Sequence, residues 1–108
     1  MTQTDVQWSS SEKKIAKDAL KKAYDREVDS LLKYVKGHLN KLMHLEDVWQ
    51  LHDLLSARRH DIDGKYDDRE AFLMFTLSKL IKDGLLKNEE LAGLTADKRA
   101  KVNLLSRM

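Results

Sequence analysis

The stretch SSSEKKIAKDALKKAYDREVDSLLKYVKGHLNKLM, Ser9 to Met43, decides the fold. Ser9 followed three residues later by Glu12 is the signature of a capping box, in which each side chain satisfies the other's backbone N–H at a helix start. One row of apolar residues then recurs every four positions: Ile15, Ala19, Ala23, Leu31, Val35, Leu39 and Met43, with Glu27 as the only break. A parallel row holds Ala16, Leu20, Tyr24, Val28 and Leu32. Residues every four positions drift by roughly 40° per step, so the stripe winds about 280° around one long helix. No flat neighbour covers such a stripe, and its two halves must pack on different partners. The helix is expected over about 10–36 or on to 43, because a single Gly37 costs only about 1 kcal/mol inside a helix.

Working outward, proline is absent and glycine occurs four times in 108 residues, so helix-breaking chemistry is scarce. A second helix is expected over about 45–61, with Val48, Leu51, Leu55 and Ile62 as its core stripe and Gly64 in the turn after it. Asp67 with Glu70 reads as the cap of a third helix over about 68–83. That helix is rich in Ala71, Phe72, Leu73, Met74, Phe75, Leu77, Leu80 and Ile81, and it ends at Gly84. A short element near Asn88 to Ala92 follows. Thr95 then caps a last helix to about 106, with Ala96, Ala100, Leu104 and Leu105 inward. The result is an all-α fold: one long N-terminal helix, a second amphipathic helix and a C-terminal helical hairpin head. It is read as a single domain, with a flexible N-terminus over 1–8, a dimerisation and partner-binding region over about 9–63 and a helical head over about 67–108. The head and one shorter helix cannot cover so long a first helix. A homodimer is the simplest cover, with Leu31, Leu32, Val35 and Leu39 at its interface.

Composition excludes several functions. Cysteine is absent, which removes disulfides, thiolate metal sites and cysteine nucleophiles. No apolar run approaches the 18 or so residues of a membrane span, and Met1 to Gln7 carries no secretory signal. The formal net charge of +2 is too small for a nucleic-acid footprint. Two local basic clusters exist, Lys13, Lys14, Lys17, Lys21 and Lys22 near the start, and Lys98, Arg99, Lys101 and Arg107 near the end. They leave a nucleic-acid-binding regulator as a minor alternative. No metal is expected. His52 and His60 lie eight apart, and Asp61-Ile62-Asp63-Gly64 puts Arg59 where a calcium loop needs its first Asp. No nucleophile, glycine-rich loop or carboxylate pair supports an enzyme, and no cofactor is expected.

What remains is an arc on the second helix. Trp49, Asp53, Ser56 and His60 share one edge, with His52 and Arg59 beside it. Trp and Arg are the residue types that most often anchor protein interfaces. Asp53 and Arg59, six apart, do not pair well along one helix. Each is therefore free for another chain.

The stretch Trp49-x-Leu51-His52-Asp53-x-Leu55-Ser56-Ala57-x-Arg59-His60, with Ile62-Asp63-Gly64-Lys65-Tyr66-Asp67-Asp68-Arg69 after it, resembles the fluorescence recovery protein family of cyanobacteria. Trp8-Ser9, Lys22-Ala23-Tyr24, Arg26-Glu27, Leu31-Leu32, Glu89-Glu90-Leu91 and Ala96-Asp97-Lys98 extend the similarity along nearly the whole chain. The resemblance implies an all-helical homodimer without a cofactor. It implies binding to the C-terminal domain of the photoactivated orange carotenoid protein, faster return of that protein to its orange form, and its release from the phycobilisome. It places Trp49, His52, Asp53 and Arg59 in the functional patch, Phe75 and Lys101 in the head, and Leu32 in the dimer-forming part of the long helix. The implied location is cytoplasmic, peripheral to the thylakoid membrane near phycobilisomes. The same helical scaffold acting on another protein partner is the main alternative.

Overall fold

The computed structural model describes residues 7–108. The expected flexible stretch over 1–8 lies mostly outside them, and its last residue, Trp8, is buried in the core. Four α-helices follow in order: α1 (Ser10–Leu39), α2 (Leu45–Lys65), α3 (Glu70–Lys82) and α4 (Ala96–Ser106), with a 3-10 turn at Asn88–Leu91 before α4. No strand occurs among the described residues. The molecule measures 55 × 25 × 23 Å, a length set by α1, whose thirty residues span about 45 Å.

The capping box at Ser9 is formed. The Glu12 backbone N–H donates to Ser9 Oγ at 3.2 Å, and the Ser9 N–H donates to Glu12 Oε1 at 3.1 Å. From there α1 runs through Gly37 without ending. The winding stripe divides as its geometry requires. Ala16, Ala19, Leu20 and Ala23 are buried in a head formed with Leu73, Met74, Leu77 and Leu80 of α3, Leu86, Leu91 and Leu94 of the linker, and Val102 of α4. Small residues on α1 let the other elements approach closely. Gly93 serves the same end, because a Cβ there would run into the Ile15 side chain.

Beyond Glu27 the chain leaves the head as an arm. The backbone turns at 40–44, where the N–H groups of Met43 and His44 both donate to Asp47 Oδ2 at 3.0 Å. α2 then returns antiparallel, so that its last residue, Lys65, lies beside Glu27. The seam of this arm is only half-buried: Leu31, Tyr34, Val35 and His38 on α1, and Leu51, Leu54, Leu55 and Ile62 on α2. Two helices form one layer and cannot enclose a core. The expected core stripe of α2 is thus a half-buried seam, and Val48 on its margin is exposed.

Three further expectations change. α2 continues to Lys65, with Gly64 inside the helix rather than in the turn beyond it. α3 begins at Glu70 with Arg69 as its cap residue. Asp67 instead holds the preceding turn, accepting from the Arg69 N–H at 3.1 Å, while its carbonyl accepts from the Thr76 hydroxyl at 2.8 Å. On α4 the row Ala96, Ala100 and Leu104 faces outward, and Val102 with Leu105 packs inward. The helix is rotated so that the Lys98, Val102, Leu105 face meets the core, where Val102 is fully buried and Lys98 reaches Glu12 across the head. The Thr95 cap is present, with the Lys98 N–H donating to its hydroxyl at 3.4 Å. Gly84 closes α3 at φ 78°, a left-handed conformation that only glycine adopts at little cost.

Two carboxylates tie the head together. Glu12 accepts from Lys98 Nζ at 3.0 Å and from the Thr95 N–H at 3.2 Å, and the lysine bond, then the Ser9 N–H, holds its pKa down at about 2. Glu90 accepts both guanidinium arms of Arg26 at 2.7 Å, and that pair holds its pKa at about 2 as well. Folded values below the unfolded ones mean stability that is complete above the ordinary glutamate range and is lost on acidification through the folded values. The urea midpoint should therefore fall progressively from about pH 5 toward pH 2, and Glu12→Gln should flatten that slope while lowering the midpoint at neutral pH.

Candidate functional site

The structure separates the sequence-derived site residues into two surfaces. The first is the outer edge of α2. Trp49 is 51% exposed, and His52, Asp53, Ser56, Arg59 and His60 are exposed along the same helix. From Trp49 to Arg59 this edge covers about 15 Å of helix axis. The His52 ring meets the Trp49 indole edge-on, with centroids 6.3 Å apart, and its Nδ1 lies 3.2 Å from Asp53 Oδ1. Asp53 and Arg59 do not pair with each other. Arg59 approaches Asp63 at only 3.8 Å, with both side chains largely in solvent. Such a contact is worth little, so the guanidinium is free to form a bidentate pair with an incoming carboxylate.

The second surface is on the head, where Phe75 and Lys101 come together. They line one groove of about 240 Å³ with Trp8, Met74, Leu104 and Leu105. Phe75 and Leu104 are half to nearly two-thirds exposed. Lys98, on the same helix, is committed inward. Its ammonium sits 5.1 Å from the Trp8 ring centre and bonds Glu12. Phe72 is also half-exposed, beneath the Arg69 guanidinium at 4.4 Å. The expected dimer residues lie on the arm, where Leu31 and Val35 are half-buried and Leu32 and Leu39 are more than half exposed.

A third feature escaped the pattern analysis. Glu27, 2% exposed, accepts from Lys65 Nζ at 2.8 Å, from Arg58 Nη2 at 3.1 Å and from the Tyr66 hydroxyl at 2.6 Å. The Lys65 ammonium also contacts Asp61 at 3.0 Å and Asp83 at 3.3 Å. Burial pulls the Lys65 pKa down, but its bonds to Glu27 and Asp61 prevail and hold it above the usual lysine value. Burial, with the Glu27 carboxylate behind it, raises the Tyr66 phenol far above its ordinary value. The signal for this cluster was the break at Glu27 in an otherwise unbroken apolar row. Among the described residues, no three His, Cys, Asp or Glu side chains converge as metal ligands, and no helix is long and apolar enough to cross a membrane.

Fold and surface together define a small all-helical protein whose distinctive groups are displayed on two exposed faces. A family model described as the photoprotection regulator fluorescence recovery protein matches residues 8–106. The fluorescence recovery protein of Synechocystis sp. PCC 6803 is 45% identical over 109 residues, with both chains covered completely. The solved structure of the Fremyella diplosiphon fluorescence recovery protein superposes with a TM-score of 0.91 at 46% identity, over 94% of this chain and 100% of that one. The solved structure from Synechocystis gives a TM-score of 0.91 at 45% identity with the same coverage. The chain belongs to the fluorescence recovery protein family, a family of photoprotection regulators.

Exposure of the α2 edge has a direct consequence for stability. Trp49→Ala and Arg59→Ala should each shift unfolding by no more than about 0.5 kcal/mol, because neither supports the core. Urea titration followed by circular dichroism would measure this, and a loss of several kcal/mol would show that the edge is structural.

Proposed function

We propose that this chain regulates photoprotection by binding the photoactivated orange carotenoid protein, accelerating its return to the orange form and promoting its release from the phycobilisome. Antenna fluorescence then recovers. The observation that carries this is end-to-end similarity to a fluorescence recovery protein, combined with a Trp49–Arg59 edge that folding leaves unspent. The family's description as a regulator accords with a non-enzymatic role.

A catalyst of domain closure needs no chemistry. It must bind the closing transition state better than the open state. Holding one domain while guiding the other removes part of the entropy cost of bringing them together. Trp49, His52, Asp53, Arg59 and His60 anchor the C-terminal domain of the carotenoid protein in this scheme. Phe75 and Lys101 on the head meet the other domain. Trp49→Ala or Arg59→Ala should slow the accelerated red-to-orange decay by about tenfold or more, the scale of one interface hot spot. Decay as fast as with the wild-type chain would remove the edge from the mechanism.

The working form in this proposal is a homodimer in the cytoplasm, near phycobilisomes at the thylakoid surface. Its support is the half-buried arm: a second copy adds the missing layer over Leu31, Leu32, Val35 and Leu39. Leu32→Glu combined with Leu39→Glu should convert dimer to monomer in sedimentation at micromolar concentration. An unchanged dimer would move the interface elsewhere.

A further inference from the structure

α2 carries the proposed binding edge, yet within the chain it buries no apolar side chain. Its one buried residue is Lys65. Its apolar residues are only half-buried, so the fully buried contacts that tie α2 to the rest of the molecule are polar. Glu27 of α1, Arg58, Asp61 and Lys65 of α2, Tyr66 just after it and Asp83 at the end of α3 meet at one point, where the arm joins the head. All of them except Tyr66 line a polar cavity of about 510 Å³ together with Lys79. The Tyr66 ring adds an edge-on contact to Tyr24 of α1 at 5.4 Å.

A half-buried apolar seam is non-directional and tolerates rotation or sliding of one helix on another. Hydrogen bonds and ion pairs do not, because they require particular distances and angles. Buried charge clusters add little net stability compared with apolar packing of similar volume, and their best-attested use is to specify one arrangement.

We infer that Glu27 and Lys65 are positioning residues for partner recognition. The joint they form sets the rotation of α2 about its axis and its angle to the head, so that the Trp49–Arg59 edge and the Phe75–Lys101 groove face one partner together. Neither residue is on either face: both are almost fully buried. This extends the proposed action on the carotenoid protein and depends on it for its activity readout.

The test is the apolar replacement Glu27→Leu/Lys65→Met, which removes two opposite charges at once and leaves their remaining charged partners Arg58, Asp61 and Asp83, each partly in solvent, to rehydrate. Its control is Asp29→Ala/Lys33→Ala, which removes an exposed pair on α1. Two readouts are needed. The first is acceleration of red-to-orange decay. The joint variant should lose at least tenfold while its circular dichroism stays that of a folded helical chain, and the control should lose nothing. The second needs no partner. The chain has no cysteine, so nitroxides at Ser56→Cys and Arg99→Cys, diluted with unlabelled chain, report the distance from α2 to the head. One narrow distribution should become broad or double in the joint variant.

Full acceleration with an unchanged narrow distribution would overturn the inference. If the double replacement does not fold, Tyr66→Phe keeps the ring and deletes only the hydroxyl bond to Glu27. It should broaden the distribution and reduce acceleration by about threefold to tenfold in proportion, and no change in either would again overturn the inference. A wild-type chain that fails to accelerate the decay would sink the proposed function, while the label distances would still decide the positioning role.

Discussion

The buried carboxylate of Glu27 organises the molecule. On its N-terminal side, α1 presents small apolar residues that the head covers fully. On its C-terminal side, α1 belongs to an arm with no complete core of its own. Glu27 stands at that boundary and collects a lysine, an arginine and a phenol from α2 and the segment just after it. An apolar residue there would continue the stripe but would take from Lys65 its nearest counter-charge, leaving it only the more exposed Asp61 and Asp83.

This division explains how one small chain displays two exposed faces. The head holds itself together by apolar burial and by the Glu12 and Glu90 ties. It can therefore leave Phe75 and Leu104 exposed. The arm holds its direction through the ion cluster and leaves the outer edge of α2 free. Trp49 and Arg59 lie outside the core, which leaves them available for the proposed recognition.

Much of this was legible in the sequence. The capping box at Ser9, the Thr95 cap and Gly84 at the end of α3 are local chemistry, and local chemistry reads directly. The four helices and the division of the long stripe follow from periodicity. The orientation of α4 did not follow, because Ala96, Ala100 and Leu104 satisfy the same spacing as Lys98, Val102 and Leu105. The choice between the two faces rests on tertiary contacts, Val102 and Leu105 against the core and Lys98 on Glu12. The Asp67 signal was sound turn chemistry attached to the wrong role, since its carboxylate serves the turn before α3. The Glu27 cluster joins residues more than thirty positions apart, beyond any periodic pattern. The edge of α2 was visible as an arc of unlike polar groups, whereas the meeting of Phe75 and Lys101 in one groove needed the packing of α3 on α4.

The most direct measurement is residue-resolved amide hydrogen exchange on the wild-type chain and a Glu27→Gln variant, which keeps the shape of the side chain and removes its charge. Exchange should quicken through α2 and the end of α1, and remain slow in α3, α4 and the first turns of α1. Unaltered protection in α2, or an equal loss across the whole chain, would contradict a joint at Glu27 that governs the arm.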